Sequence, residues 1–479
     1  MGENENKKAQ SKALIIGTII YAIGNFGTKF LSFLIVPLYT YYIEPSDLGD
    51  YDLLISTVSL LSPLITMKIS DAAYRWIIRD KNNEIPCISA SYQLLLRNCI
   101  CVSIVLLLIN HFIPIWNCYY FIAILVLDRI LECIQKLLRG LKNQKLFAFS
   151  GIFYTGVFVS LNLVKICYFK QGVVALLQST IISKSVTIFL ILLLEKRLRK
   201  IQLGKNFGSL QKEMLKYSIP LVPSNLSWWV MGSSDRYIIR WILGSASNGI
   251  YAVAYKFPSV LSTIFVMFNN AWTDQALADL DKSRESEEYA SKVFQIYYRI
   301  SFGFVFVLIP ATKVIAQIIL SQRYKMASVY IAFLYLGTIF QGFSSFFSVG
   351  YLHQKKTGGT ATTSIYGAIA NIIVHIALIK FIGLFAAAFS TFVGFFIMWI
   401  FRVNDTKESF PIRINKKRFG FYLLVAMFLS LCTIWSSIQI DILLTVIMIV
   451  FFIIDNRVLI MEMKNKILTN IKLKRKKIA

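Results

Sequence analysis

Apolar runs of about 20 residues recur along nearly the whole chain, and they restrict its fold more than any other feature. About 20 apolar residues are needed for a helix to cross the hydrocarbon of a bilayer, and these runs lack the alternation of barrel strands. We therefore predict an all-α polytopic membrane protein with about 14 transmembrane helices. The predicted spans are 14–39, 49–69, 88–109, 113–134, 147–168, 173–194, 216–241, 247–272, 294–320, 327–349, 360–380, 383–403, 419–436 and 438–454.

The composition and the charge distribution agree with a membrane protein. The chain is 56% hydrophobic and 16% charged, whereas about a quarter of the residues in soluble domains are charged. Its net charge of +26 would raise the question of nucleic-acid binding in a soluble protein. With an even number of spans both termini lie on one side, and loops on that side hold most of the Lys and Arg. The opposite loops hold only Lys170, Arg323 and Lys325. The positive-inside rule therefore predicts cytoplasmic termini.

A weak internal repeat divides the chain into halves. An ungapped shift of 200 residues places 14–72 over 214–272 and matches Asn25 with Asn225, Gly49 with Gly249 and Tyr51 with Tyr251, among others. The matched helices begin each half, and an even helix offset is typical of a parallel repeat. We predict two six-helix halves followed by two C-terminal helices. The divisions are a cytoplasmic tail (1–13), helices 1–6 (14–194), a basic linker (195–215), helices 7–12 (216–403), a basic loop (404–418), helices 13–14 (419–454) and a basic tail (455–479).

No motif in the sequence indicates a cofactor or a metal. Its seven cysteines form no CxxC pair, and no Walker-type glycine loop is present. The loops between the predicted spans are too short for a folded catalytic domain. We therefore expect neither a metal, a cofactor nor an enzymatic activity.

Charged side chains inside the predicted spans indicate a water-filled cavity. A charge at the centre of a bilayer costs roughly 2.5–3.5 kcal/mol on insertion scales, so many cations facing lipid would be prohibitive. Acids at similar depth are few, namely Asp128 and Asp235. A shared cavity of net positive charge calls for an anionic ligand. The buried cations are Lys29, Arg97, Lys165, Lys184, Arg236, Arg240, Lys256, Arg299 and Lys313.

Helical spacing gathers several polar residues on one face of helix seven. Asn225, Trp229, Gly232, Arg236 and Arg240 step by four, three, four and four residues, which places them along one side of a helix. A similar stripe on helix one contains Asn25, Lys29 and Ser32. Aromatic side chains such as Trp229 suit sugar rings or an amphipathic head group.

Two residues in the predicted spans carry alternative interpretations. Asp235 either neutralises Arg240 or Lys256 or takes part in ligand binding. His375 either relays a proton or is a hydrogen-bonded packing residue. The candidates for ion coupling are Asp235, Asp128 and His375.

Two stretches of the chain resemble the paired signatures of bacterial polysaccharide flippases. The first is "FGTKFLSFLIVPLYTYYIEPSDLGDYDLL" with "ISDAAYRWIIRD", and the second is "YSIPLVPSNLSWWVMGSSDRYIIRWILGSASNGIYAVAYKF". These flippases belong to the multidrug/oligosaccharidyl-lipid/polysaccharide exporter superfamily. The second half departs from the first at one point: the stretch that corresponds to "DAAYR" reads "NAWTDQ", with Trp272 where the first half has Ala72.

The resemblance implies a function and a cavity. Such proteins carry undecaprenyl-diphosphate-linked oligosaccharide units to the outer leaflet of the bacterial cytoplasmic membrane by alternating access, for O-antigen, capsule or exopolysaccharide synthesis. Their partners are membrane lipids and, in some pathways, a polymerase and chain-length machinery. Two six-helix lobes form a V around a cationic cavity.

The matching motif positions supply candidate site residues. The motifs contain Lys29, Asp235 and Arg236, and also Asp71 and Arg75, which either gate the entrance or set topology. Arg97, Lys256 and Arg299 rest on the charge argument alone. We expect Lys29, Arg236 and Arg240 to engage the diphosphate and Trp229 to contact sugars. The complete set of predicted substrate contacts is Asn25, Lys29, Arg97, Asn225, Trp229, Asp235, Arg236, Arg240, Lys256 and Arg299.

Other functions remain as alternatives. A multidrug exporter of the same superfamily would carry acidic side chains in its cavity. A membrane polymerase or glycosyltransferase would require a larger loop or an acidic metal-binding domain. The energy source is open between cation antiport, proton coupling and downhill flow driven by polymerisation outside.

Overall fold

A computed structural model describes residues 26–202, 206–279, 284–353, 358–408, 410–457 and 461, and every regular element in these ranges is helical. The first half (residues 26–194) contains helical residues 26–34, α1 (Val36–Tyr42), α2 (Pro45–Thr66), α3 (Ile69–Arg79), α4 (Glu84–Phe112), α5 (Cys118–Gly140), α6 (Gln144–Asn162) and α7 (Gly172–Leu194). A linker helix, α8 (Gly208–Ser218), follows. The second half (residues 221–406) contains α9 (Leu221–Ser233), α10 (Asp235–Ile242), α11 (Ser245–Asp279), α12 (Arg284–Ile319), α13 (Ala327–His353), α14 (Gly358–Ile382) and α15 (Leu384–Thr406). The C-terminal pair is α16 (Lys416–Trp435) and α17 (Ile438–Asp455).

Eleven helices in the described residues are long and apolar enough to cross a membrane. The prediction of an all-α, multi-pass membrane protein is therefore confirmed, while the count of 14 stays a prediction. Of the three remaining predicted spans, 14–39 lies partly outside the described residues. The span 113–134 corresponds to α5, which carries Asp128, Arg129 and Glu132 along its length.

The third remaining span, 216–241, is a broken helix in the structure. Helix α8 continues through Ser218, and α9 begins after Pro220. Proline lacks an amide proton and clashes with the preceding turn, so it favours a break at this point. Helices α9 and α10 meet at Ser234, whose hydroxyl donates to the carbonyl of Val230 at 2.6 Å. Such back-bonding often bends a helix. The predicted boundary between linker and second half at 215/216 thus falls inside α8.

Successive long helices alternate between two ends of the bundle. We call one the basic end, because it holds the basic segments 195–202 and 404–416. The other, the far end, holds the short turns at 43–44, 243–244 and 320–326. Short turns need unusual backbone: Gly244 has φ 85° and Gly383 has φ 56°, values that glycine adopts without strain.

Two buried apolar clusters form the core. One cluster contains residues of the first half and the linker helix, such as Ile69, Ile124 and Met214. The other contains the second half and α16 together with the far-end residues of the first half, including Val36 and Leu48. The far end of the first half is therefore packed against the second half.

The linker is attached to the basic end of the first half. Ser218 Oγ donates to the carbonyl of Met67 at 2.7 Å, and the Arg75 guanidinium lies 4.4 Å from the ring centre of Tyr217. At its start, Glu195 accepts hydrogen bonds from Arg197 and from Asn143. The Arg197 hydrogen bond is the main cause that lowers the pKa of Glu195 to about 2, so this contact is charged at neutral pH.

Candidate functional site between the halves

A glycine crossing at the far end brings the two halves into close contact. Helices α2 and α11 approach so tightly that a Cβ on Gly49 would lie 2.8 Å from Gly249 N and closer still to Ser245 O. A Cβ on Gly249 would lie 3.1 Å from Gly49 N and closer still to Pro45 O. Asn248 Nδ2 also donates to Gly49 O at 2.7 Å. Gly49 and Pro45 lie 200 residues before Gly249 and Ser245, which is the shift of the predicted repeat. Equivalent positions of the two halves therefore form the crossing.

Further contacts close the same end of the bundle. Tyr324 OH donates to Ile43 O at 3.0 Å, and Ser321 Oγ donates to Thr40 O. Arg323 and Glu44 form an exposed ion pair. The far ends of the two halves are therefore joined both by backbone packing and by polar contacts.

Two ion pairs lie within one helical turn of the crossing on α2. Arg240 Nε is 3.0 Å from Asp50 Oδ1, and Arg236 Nε is 2.9 Å from Asp52 Oδ2. Arg236 is 7% exposed, donates to Gly232 O at 2.8 Å and lies 4.8 Å from the ring centre of Tyr255. Burial of this kind holds the Arg236 guanidinium in one orientation, whereas Arg240 is exposed.

Two lysines add positive charge beside these pairs. Lys256 of α11 lies within electrostatic range of Asp52 and Arg236. Lys29, an exposed residue of the first half, interacts electrostatically with Lys256 across the interface. We call these four cations and the two carboxylates, Asp50 and Asp52, the seam cluster. Its carboxylates balance only half of its positive charge, so the cluster suits an anion.

Trp229 and Tyr237 fasten α9 and α10 to α2 beside the seam cluster. Trp229 Nε1 donates to Ser59 Oγ at 2.9 Å and to Ser56 O at 3.1 Å. The Tyr237 hydroxyl lies 2.6 Å from Thr57 Oγ1, and the rings of Trp229 and Tyr237 are 5.7 Å apart. In this state Trp229 holds the halves together. The remaining stripe residue, Asn225, uses its amide on its own helix, at Leu221 O.

Asp235 lies on the other side of α10, away from the seam cluster. It is fully buried inside the second half. Its Oδ2 accepts from Tyr251 at 2.9 Å and from Thr391 at 2.8 Å. Its Oδ1 is 3.0 Å from Nδ1 of His375, which is also fully buried. Asp235 is therefore paired with His375 and not with Arg240 or Lys256.

The surroundings of this pair are polar but incompletely bonded. Within the described part of the chain, Asp235 Oδ1, both ring nitrogens of His375 and the neighbouring Asn371 Oδ1 are buried without a hydrogen bond. No three His, Cys, Asp or Glu side chains come together as metal ligands among the described residues. A proton needs only one acid and one base, and the adjacent Asp235 and His375 side chains supply both.

The other predicted residues lie away from the seam cluster. Arg97 is exposed and shares a face of α4 with the exposed Ile104 and Leu108. Arg299 pairs with Asp455 at the basic end, at 3.1 Å.

Contacts away from the seam cluster hold the predicted ion-coupling residue Asp128 and the two predicted gate residues, Asp71 and Arg75. Asp128 contacts Lys184 and Arg129 within the first half. Asp71 contacts Lys136, and Arg75 packs on Tyr217 as described above. Asn25 lies outside the described residues.

Asp50 and Asp52 are the functional candidates that sequence reasoning missed. Both stand in the apolar run that begins at 49, in the segment "GDYDLL". The argument that selected buried cations also applies to buried acids, and it would have identified these two as partners for Arg236 and Arg240.

Comparisons with known proteins place this fold among membrane flippases and transporters. The sequence model of the family described as "Polysaccharide biosynthesis protein" matches residues 14–273. The structure "Lipid II flippase MurJ, inward closed conformation" has a TM-score of 0.73 at 14% identity, over 93% of this chain and 100% of that chain. An inward-facing multidrug resistance MATE transporter of the MOP superfamily has a TM-score of 0.60 at 15% identity, over 88% and 96%.

One sequence relative is an archaeal membrane protein. "Uncharacterized membrane protein MJ1068" of Methanocaldococcus jannaschii is 31% identical over 118 residues. That alignment spans 24% of this chain and 23% of the relative. It therefore supports a similarity between segments and not between whole proteins.

Proposed function

The chain belongs to the polysaccharide biosynthesis protein family, and on that premise we propose that it flips undecaprenyl-diphosphate-linked oligosaccharide units from the inner to the outer leaflet of a bacterial cytoplasmic membrane. Its family and its structural neighbours are flippases and transporters, not enzymes. Sugar head groups are too polar to cross hydrocarbon unaided, and a protein path removes that cost.

The single observation that carries the proposal is the charge of the seam cluster. Lys29, Arg236, Arg240 and Lys256 lie between the halves, and among the described residues Asp52 and Asp50 form ion pairs with the two arginines. A diphosphate offers the negative charge that these cations lack. Guanidinium groups bind phosphate oxygens through paired hydrogen bonds. The carboxylates of Asp52 and Asp50 already orient the guanidinium groups of Arg236 and Arg240. These side chains therefore lose little conformational entropy when they bind a phosphate.

The contacts between the halves suggest which side is open. The glycine crossing and its neighbouring polar contacts lie at the far end, and the Trp229 and Tyr237 contacts lie near the middle of α2. The positive-inside rule assigns the basic end to the cytoplasm. On that assignment, the described state is closed to the outside and receives substrate from the inner leaflet. The polyprenyl tail remains in lipid, outside the seam. Outward release requires the glycine crossing to separate.

A multidrug exporter is the alternative that the seam cluster disfavours. Cationic drugs require unpaired acidic side chains in the path. In the seam cluster, both carboxylates are already bound by arginines. An anionic substrate fits the net positive charge, and a cationic one would be repelled.

Flipping in proteoliposomes tests the proposal directly. We expect protein-dependent movement of fluorescent undecaprenyl-diphosphate oligosaccharide, measured as loss of access to a membrane-impermeant reductant. Vesicles without protein are the control. A parallel assay measures uptake of the cationic dye ethidium. Ethidium transport without movement of the lipid-linked sugar would reverse the assignment in favour of the exporter.

We further propose that Asp235 and His375 couple flipping to protons. One bound proton converts the pair to a carboxylate beside an imidazolium, which is far less costly to bury than a lone carboxylate. The other titratable groups that face Asp235 are Tyr251, Tyr255 and Arg236. Arg236 is directed toward Asp52, so it does not replace the proton.

Substitution of the pair should remove the response to a proton gradient. We expect Asp235→Asn and His375→Gln to flip at the same rate with and without the gradient, whereas the unmodified protein is stimulated by it. His111→Gln, at an exposed position, is the matched control and should keep the stimulation. Binding of the lipid-linked sugar in detergent should be unchanged in all three. Retained stimulation in both pair variants would contradict the coupling role.

A further inference from the structure

A second cationic site lies at the basic end, away from the seam cluster. A cleft of about 280 Å³ is lined by Lys292, Gln295 and Arg299 of α12 and by Asn415 and Arg418 at the start of α16. Asp455, the last residue of α17, contacts both guanidinium groups. Two guanidinium groups thus share one carboxylate, and Lys292 adds a third cation to the lining, so the cleft retains net positive charge.

Asp455 holds both Arg299 and Arg418 in place, and Tyr422 bonds to Asp455 and to Arg418. Arg299 Nε is 3.1 Å from Asp455 Oδ2, and Tyr422 OH donates to the same oxygen at 2.6 Å. Arg418 Nε in turn donates to Tyr422 OH at 2.8 Å. Each guanidinium still has N–H groups beyond those used here, because the group carries five. They are available to an anion in the cleft.

An apolar groove of about 410 Å³ runs beside the cleft, between α11 and α12. Phe265, Phe268 and Trp272 form one wall, and Ile296, Ile300 and Phe304 form the other. Ile296 lines both the groove and the cleft. The polar stripe of α12 therefore runs next to its apolar stripe, because successive helical residues are rotated by about 100°. This polar stripe consists of Lys292, Gln295 and Arg299.

The level of the cleft matches a membrane surface. Helix α12 has 36 residues, which makes it about 54 Å long and well in excess of the roughly 30 Å of hydrocarbon. Counting about 30 Å back from its far end, Ile319, reaches Arg299. The cleft extends from that level to Lys292, about 10 Å outside it, and the groove runs from Tyr289 through that level to Phe304, about 8 Å deeper. There the ring of Phe452 of α17 lies 5.3 Å from that of Phe304.

We propose that this cleft binds the phosphate of an anionic glycerophospholipid from the basic-end leaflet, with one acyl chain in the groove. Charge complementarity supplies the head-group contact, since basic pockets between transmembrane helices favour anionic lipids. The adjoining groove distinguishes a lipid from a free phosphate. The bound lipid would join α12, α16 and α17, so its presence stabilises the C-terminal pair against the second half.

Thermal unfolding of the full-length protein in detergent tests the site. We expect added phosphatidylglycerol to raise Tm, and phosphatidylcholine or inorganic phosphate at the same concentration to leave Tm nearly unchanged. Lys292→Gln, which alters an exposed side chain, should lose at least half of that shift. Ile296→Asn should lose a similar part, because it disturbs the groove and leaves the cations in place. Lys170→Gln, the same charge change at the far end, should keep the full shift.

Three outcomes would overturn the proposal. An equal Tm shift in Lys292→Gln, Ile296→Asn and the unmodified protein would show that the lipid does not bind in the cleft and groove. An equal shift with inorganic phosphate would show an anion site with no role for the groove. An equal loss in Lys170→Gln would show that net charge and not the cleft attracts the lipid.

Discussion

Gly249→Ala is expected to abolish flipping while the protein still inserts and folds. The added Cβ would meet the backbone of Pro45 and Gly49 and not a flexible side chain, so neither partner can turn away. Overpacking at a tight contact costs about 1–3 kcal/mol, which shifts the balance between the far-end-closed and far-end-open states by about 5- to 150-fold. Gly49→Ala should act in the same direction, because the crossing is formed by equivalent positions.

The state of the far end is measured with a cysteine at Leu48, which is buried behind the crossing. In a background without the exposed Cys101 and Cys167, we expect Leu48→Cys to react slowly with a membrane-impermeant maleimide. Adding Gly249→Ala should make it react quickly. Gly156→Ala is the matched control, since a Cβ there meets nothing within 4 Å. Normal flipping together with an unreactive Leu48→Cys in the Gly249→Ala protein would refute this function of the crossing.

Neutral replacement of Lys29 and Arg236 together is expected to abolish export of the lipid-linked sugar. Each hydrogen bond to a charged group contributes roughly 1.5–3 kcal/mol, so losing two phosphate contacts should lower the flipping rate by about a hundredfold or more. The measurement is the proteoliposome assay, with surface expression and Tm recorded in parallel. Lys380→Gln removes an exposed cation and should leave the rate unchanged. Export at normal levels in the double variant would show that the seam cluster does not hold the phosphates.

The partner of Arg236 allows function to be separated from stability. Arg236→Gln alone leaves the carboxylate of Asp52 without its 2.9 Å contact, and breaking such a pair from one side is strongly destabilising. Asp52→Asn with Arg236→Gln removes both charges and should recover most of the lost Tm. Flipping should stay low in that protein, because the anion contact is still missing. Recovery of both properties would mean that Arg236 serves only to hold the halves together.

Hydropathy located the apolar parts of the helices, but it missed helical segments that continue past the apolar residues. The predicted span 173–194 and the observed Gly172–Leu194 nearly coincide, as do 327–349 and Ala327–His353. In contrast, 294–320 was predicted where α12 runs from Arg284 to Ile319. The first turns of α12 carry Glu285, Glu287 and Lys292. An apolar window therefore excludes them, although they continue the same helix and Lys292 lines the basic-end cleft.

The sequence by itself determined that the chain is an all-helical, multi-pass membrane protein with cations inside its apolar runs, and its 200-residue repeat predicts two related halves. Only the tertiary structure decided which acid each cation meets, because partners such as Arg236 and Asp52 are 184 residues apart and no local pattern relates them. Asp235 and Arg236 show the physical reason most directly. Adjacent residues on a helix point about 100° apart, so Asp235 enters the core of the second half and Arg236 enters the seam. The packing of α10 between α2 and α14 sets that rotation.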